Sequence, residues 1–272
     1  MNEPYDKNYV IAHLQLYGTS AKKSYGQNFL ISYEVVKDII DSLDIKEHDR
    51  CLEIGPGLGS LTYELNLKTD NLVLVELDKV LVTHLKNNYP NVEILNSDFL
   101  KYNFKKEKSP LKVIGNLPYG ITSEIIEKLI YNNKKITQAT LMVQKEAYDR
   151  IVAKKDNKEY GPLSILLEYL GGTRIIRNVS RHSFYPEPHV DSIVFQIIIN
   201  KTTKIENEKV FFKFIKNMFL LRRKTILNNL TNFVRDRDIA LSILQKVQIN
   251  PQLRPENLSL KDYLTLYYAL PQ

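Results

Sequence analysis

Apolar and polar residues follow two periods along the first half of the chain. Tyr33–Leu43 carries apolar residues at helical spacing, with Ser32 placed to cap the N-terminus. Cys51–Ile54 is a short apolar run that ends on glycines and predicts a buried strand. A helix over Leu61–Leu67, a Val- and Leu-rich strand over Asn71–Leu77 and a helix over Val80–Asn88 follow, the last closed by Tyr89-Pro90. Val92–Asn96, Leu111–Asn116 and Leu141–Gln144 predict three further strands, and the β-branched Ser192–Asn200 a last, antiparallel one. Strands that alternate with helices imply a parallel sheet covered on both faces. After Asn200 the pattern changes. Lys201–Lys209 is polar and reads as a linker. Phe211–Leu230 has one apolar helical face, and Ile239–Val247 and Leu260–Leu270, the latter capped by Ser259, predict two more helices. The expected division is therefore 1–200, an α/β domain, and 201–272, a small helical domain.

Composition narrows the class. Of 272 residues, 43% are hydrophobic and 25% charged, the balance of a globular protein and not of a disordered or collagen-like chain. No apolar run reaches membrane-spanning length, and the N-terminus has neither the basic and apolar regions of a signal peptide nor the basic character of a transit peptide. The single cysteine, Cys51, fits a reducing compartment, so a cytoplasmic location is expected. The net charge of +7 is unevenly placed: residues 1–200 hold 25 basic and 25 acidic residues, and 201–272 hold 13 and 6. A polyanion touching the C-terminal part is one reading; a solvated Lys/Arg surface is the other.

The turn Glu53-Ile54-Gly55-Pro56-Gly57-Leu58-Gly59 joins the first strand to the next helix, where glycines permit a tight turn and close approach of a ligand. Its spacing is G-x-G-x-G. The dinucleotide fingerprint would need its third glycine at Ser60, and no G-x-x-x-x-G-K-[ST] run occurs, so a pyrophosphate or triphosphate cradle is disfavoured. Glu76 closes the second strand, where a carboxylate can accept from both ribose hydroxyls of an adenosine. Asp98, after the third strand, can accept from an adenine amino group, and Phe99 offers an apolar edge. For Glu76 and Asp98 taken singly, a helix cap or surface carboxylate is the alternative. Together these features resemble the class I methyltransferases, a Rossmann-like doubly wound fold whose cofactor is S-adenosylmethionine.

The fourth strand ends in Asn116-Leu117-Pro118-Tyr119. An exocyclic adenine amine is a poor nucleophile because its lone pair is delocalised into the ring. Acceptors on its N–H groups favour a pyramidal nitrogen, and the Asn116 side-chain oxygen and the Leu117 carbonyl can supply them. Pro118 stiffens the turn and removes a donor, and Tyr119 can stack on the base. A sulfonium is already an activated methyl donor, so orientation contributes most and no strong general base is required. No Cys/His cluster has ligand spacing, and no metal is expected. The five scattered histidines read as structural or solvated.

With these residues in place, the chain from Lys22 to Leu270 resembles the ribosomal RNA adenine N6-dimethyltransferases, nearest their small-subunit members. Lys23–Leu30 is similar to the family's N-terminal motif, which implies that Asn28 and Leu30 contact the cofactor; Gly55, Glu76, Asp98 and Asn116 match further contacts. Gly57, Leu77 and Phe99 complete the expected cofactor site. Leu141–Glu146 is similar to the family's fifth-strand segment. Phe184–Ser192 matches an F-x-P-x-P-x-V-x-S stretch, which implies that Phe184 sandwiches a flipped adenine opposite Tyr119; a core aromatic is the alternative for Phe184. Arg222-Arg223-Lys224-Thr225 and Arg254–Ser259 resemble signatures of the helical domain, and Arg222, Arg223 and Lys224 are expected to hold RNA phosphates. Two departures stand out: Gly120 where the family usually has Asn, and Tyr25 where it often has Leu.

The resemblance implies dimethylation of two adjacent adenosines near the 3′ end of 16S ribosomal RNA within the small ribosomal subunit, by a monomer. Two other readings are a large-subunit adenine dimethyltransferase of the kind linked to macrolide resistance, and a binding protein like the mitochondrial transcription factors descended from the family. The C-terminal signatures and the intact motif set favour the small-subunit enzyme.

Overall fold

The computed structural model describes residues 3–201 and 203–271, the side chains of Lys23 and Tyr119 excepted. In chain order the elements are α1 (Lys7–Leu16), β1 (Phe29–Leu30), α2 (Tyr33–Asp41), β2 (Arg50–Ile54), α3 (Ser60–Lys68), β3 (Leu72–Glu76), α4 (Lys79–Asn88), β4 (Glu93–Asn96), β5 (Leu111–Asn116), α5 (Thr122–Tyr131), β6 (Ile136–Gln144), α6 (Lys145–Ile151), α7 (Pro162–Leu170), β7 (Thr173–Val179), β8 (Phe184–Tyr185), β9 (Ser192–Ile197), α8 (Glu208–Met218), α9 (Ile226–Val234), α10 (Arg237–Lys246) and α11 (Leu260–Tyr268). They form two compact units. The first comprises the described residues up to Tyr148 with Thr173–Ile199; the second comprises Asp149–Gly172 and the residues from Asn200 on.

The first unit is built on a seven-stranded sheet of order β4-β3-β2-β5-β6-β9-β7. The β4, β3, β2, β5 and β6 strands run parallel, and β9 lies antiparallel between β6 and β7. The chain starts at central β2, builds outward through β3 to β4, then returns to the other side at β5. That reversal opens a crevice at the carboxyl ends of β2 and β5, where open α/β sheets bind ligands. All five residues of β3 are buried, as a strand covered on both faces requires. Its core joins Val35, Val36 and Ile39 of α2 to Leu61 and Leu65 of α3 and to Leu72 and Leu74.

The second unit is helical, with a core of Phe211, Phe214, Ile215, Met218, Tyr263 and Leu266. The single helix expected over Phe211–Leu230 is two helices. Asn229 donates through Nδ2 to the Leu221 carbonyl (3.2 Å) and accepts from its N–H (2.9 Å), and Thr225 caps α9, so the chain turns between Phe219 and Thr225. The boundary expected at 200/201 also differs: 149–172 groups with the C-terminal helices because α7 packs on α8 and α11. The α1, α5, α6 and α7 helices and strands β1, β7 and β8 were absent from the sequence-based expectation.

Candidate active site

The reversal of strand order is occupied by a cleft of about 580 Å³ in the first unit. Asn28, Leu30, Gly55, Gly57, Glu76, Leu77, Asp98, Phe99, Asn116, Leu117 and Pro118 all line it. Segments far apart in sequence thus meet at one sheet edge: the N-terminal strap, the glycine turn after β2, the ends of β3 and β4, and the tetrapeptide after β5.

Glu76 is the last residue of β3 and is 7% exposed. Its Oε2 accepts from Gly57 N–H (3.1 Å) and its Oε1 from Asp78 N–H (2.8 Å). Burial pushes its carboxyl above the usual carboxylate range, and the backbone donors of Asp78, Gly57 and Leu77 oppose the shift. Three backbone donors on a carboxylate with about four acceptor sites leave capacity for a further donor. Gly57 has φ +62°, and a Cβ there would stand 3.3 Å from the Phe29 ring, so a side chain at this turn would be strained in backbone and crowded against Phe29. Leu77 is 49% exposed at the cleft and offers an apolar surface next to the carboxylate. Asp98 caps the short turn Phe99–Lys101, with Oδ1 accepting from Leu100 N–H (2.8 Å), which leaves Oδ2 for another donor. Phe99 is almost fully buried beneath it.

Asn116 ends β5. Its Nδ2 donates to the Asn28 carbonyl (3.1 Å), which fixes the side-chain amide with Oδ1, the acceptor, on the opposite side. The Pro118 carbonyl accepts from Thr122 Oγ1 (3.1 Å) and from Ile121 N–H (3.4 Å). Of the Leu117 and Pro118 carbonyls, that of Leu117 is the one left for a ligand, and the Leu117 N–H donates to Met142 O (2.9 Å). The Tyr119 side chain lies outside the described residues. At Gly120 a Cβ would meet nothing within 4 Å, so the departure from the family pattern falls where a side chain has room.

Phe184 corrects an expectation. It does not line the cleft; it is 2% exposed and packs among Leu30, Val35, Val36, Val179 and Val194. The reason is the pairing of β8 with β1, which sets Phe184 opposite Leu30 and turns its ring into the core. Arg222, Arg223 and Lys224 belong to the second unit and are exposed. Arg222 donates through Nη2 to the carbonyls of Lys158 (2.5 Å) and Tyr160 (3.1 Å), so its guanidinium already holds a loop of its own unit.

Three residues of the site were missed by sequence reasoning. Glu53 is fully buried at the back of the cleft, accepts from Thr62 Oγ1 (2.7 Å), and is pushed up by burial to about 8. His84, lowered to about 4 by burial, is neutral near pH 7 and donates through Nε2 to the Leu58 carbonyl (3.2 Å) of the glycine turn. At Gly115 a Cβ would lie 2.8 Å from the Ile54 carbonyl, so only glycine lets β5 approach β2 below the tetrapeptide. The buried carboxylate had a signal, the Glu that opens the glycine turn; the other two had none. Among the described residues no group of three metal-binding side chains occurs, and no helix is long and apolar enough to cross a membrane.

Residues 18–272 match the sequence model of the family described as ribosomal RNA adenine dimethylase. The chain is 40% identical over 266 residues to the ribosomal RNA small subunit methyltransferase A of Malacoplasma penetrans, an alignment covering 97% of each chain. Among solved structures, a dimethyladenosine transferase from Plasmodium falciparum superimposes with a TM-score of 0.73 at 27% identity, covering 87% of this chain and 95% of that one. The 23S rRNA methyltransferase ErmE shares the fold, with a TM-score of 0.64 at 24% identity over 90% of this chain and 100% of that one.

Proposed function

The chain belongs to the ribosomal RNA adenine dimethylase family, and from that premise we propose that it methylates, twice each, two adjacent adenosines near the 3′ end of 16S ribosomal RNA, with S-adenosylmethionine as donor. The observation that carries this reading is the Asn116 amide, held by the Asn28 carbonyl at the edge of a cleft that also contains Glu76.

The residues present fit the cofactor. Glu76 keeps acceptor capacity for a ribose, Leu77 offers apolar surface, Asp98 keeps one oxygen for an amino group, and Gly55 and Gly57 bring backbone to the cleft without side chains of their own. When bound, S-adenosylmethionine supplies a methyl group already activated on a sulfonium. Asn116 Oδ1 and the Leu117 carbonyl accept from the two N–H bonds of the adenine amine, which localises its lone pair for attack. Orientation accounts for most of the acceleration, and the displaced proton leaves to water. A base held in a stack cannot present its amine to a cleft in the protein, so it is extruded, at a cost of a few kcal/mol. Tyr119 follows Pro118 directly and is assigned to stack on the extruded base, worth about 1–3 kcal/mol. The Phe184 ring lies in the core and is given no such part.

The second unit is assigned to RNA docking through Arg223 and Lys224, and the protein acts in small-subunit biogenesis in the cytoplasm, as a monomer without metal. The test is incubation with labelled cofactor and unmethylated small or large ribosomal subunits, followed by mapping of the modified adenines. Label on two adjacent adenines of the small subunit is expected. Label on the large subunit alone assigns the other enzyme, and binding without label sinks the enzymatic reading.

A further inference from the structure

The cleft wall at Ser24–Leu30 is a strap whose shape converges on one buried carboxylate. Gln27 folds the strap back: its Oε1 accepts from Lys22 N–H (2.9 Å), while the N–H groups of Tyr25 and Gln27 donate to the Lys22 carbonyl (3.0 and 3.3 Å). Its Nε2 donates to Asp78 Oδ2 (3.1 Å), and Lys22 Nζ donates to the same oxygen (2.7 Å). Asp78 is 4% exposed, and the Lys22 side chain 36%. The other Asp78 oxygen accepts from Val80 N–H (3.0 Å) and caps α4, and the Asp78 N–H donates to Glu76 Oε1 (2.8 Å). One residue beyond Gln27, the Asn28 carbonyl receives the amide of Asn116.

The strap therefore has two anchorages. One lies two residues from the carboxylate at the β3 end of the cleft; the other is the amide at the β5 end. Gly26, at φ +61°, gives the strap access to conformations closed to other residues, so its shape depends on side-chain anchorage. An ammonium and a carboxamide on a buried carboxylate oxygen supply it, since charge-assisted hydrogen bonds are the stronger kind. Burial alone would raise the Asp78 carboxyl; the donors Lys22 and Gln27, with Val80 N–H, outweigh it and hold the group below its ordinary range.

We infer that Asp78 is a positioning residue, a latch that pins the strap beside Glu76 and through Asn28 fixes the amide of Asn116, so that the cofactor end and the acceptor end of the cleft are coupled through one strap. This rests on the proposed reading of the cleft as an S-adenosylmethionine site. Asp78→Asn is the discriminating variant. It preserves the cap on Val80, because Asn caps as well as Asp, but it puts an NH₂ group opposite two donors.

Calorimetry with S-adenosylmethionine and hydrogen exchange on the ligand-free protein test the latch. Asp78→Asn and Lys22→Met are each expected to weaken binding about tenfold, the equivalent of one charged hydrogen bond. The double variant should be no weaker than the worse single one. Lys22→Arg, which keeps a donor, should retain the parent affinity. In Asp78→Asn the amides of Gly26–Leu30 should exchange faster with α4 protection unchanged. Unchanged strap exchange, or losses that simply add, overturns the latch. If the parent protein does not bind S-adenosylmethionine while strap exchange still rises in Asp78→Asn, the cofactor reading falls and the latch stands.

Discussion

The two units use their polar side chains in opposite ways. In the first, Glu76, Asp98 and Asn116 line the cleft, each makes one set of contacts with the backbone, and each keeps acceptor capacity beyond those contacts. In the second, several polar side chains, some of them within the family signatures, are turned onto their own unit. Arg222 holds two carbonyls of the 158–160 loop, Asn229 takes both backbone groups of Leu221, Asn257 donates to Asp156, and Ser259 pairs with Asp262. A motif residue is thus not of itself a ligand-binding residue. What separates a reactive position from a scaffolding one is the hydrogen-bonding capacity left over after the fold is satisfied.

The largest effect that would break this contrast lies at Asn116. Asn116→Ala removes an acceptor with capacity to spare, and methyl transfer should fall by about 10²–10³-fold, while cofactor affinity measured by calorimetry stays within a few-fold; normal turnover would withdraw its role. Glu76→Ala should weaken S-adenosylmethionine binding by about ten- to a hundredfold, the loss of one or two charged hydrogen bonds. An unchanged dissociation constant would remove Glu76 from the site.

Glu53 sharpens the contrast through pH. Its carboxyl is raised from an ordinary 4.5 to about 8 in the fold, so the native state binds a proton that the unfolded chain releases. Stability contributed by that proton is complete below about 4.5 and is lost as pH rises toward 8. Glu53→Gln should therefore gain on the parent in denaturant titrations as pH increases across this window, by about 1 kcal/mol per pH unit; a pH-independent difference would refute a neutral Glu53.

The smallest effects separate neighbours in the second unit. Arg222→Ala should lower unfolding free energy by about 1 kcal/mol, through two carbonyls left without their donor, with little change in the salt dependence of ribosome binding. Arg223→Glu with Lys224→Glu should leave stability in place and reduce the slope of log K against log salt by about one for each phosphate no longer neutralised. A reversed pattern would make Arg222 the RNA contact.

Much of the first unit was legible because its signals are local. A strand that ends in Glu76 or Asn116 delivers that residue to the carboxyl edge of a parallel sheet wherever the strand lies in the order. Phe184 was not legible, because a strand of two residues has no alternation from which to read a face, and its partner Leu30 lies far away in sequence. The break between α8 and α9 was hidden because the apolar period continues through it; only Thr225, an N-cap residue, marks the restart. Asp78 was passed over for a similar reason: its Lys22 and Gln27 partners lie on another segment, and no periodicity records that pairing.

The grouping of 149–172 with the C-terminal helices has a consequence for synthesis and for dissection of the chain. The buried face of α7, with Ile165, Leu166, Leu167 and Leu170, leaves the ribosome before α8 and α11 exist to cover it, as does Tyr169, whose hydroxyl later donates to Glu208 (2.9 Å). A nascent chain must shelter that greasy segment until its final stretch emerges. A fragment cut at 200 would carry the same bare face permanently, and so is a candidate for aggregation even though every strand of the sheet is present in it.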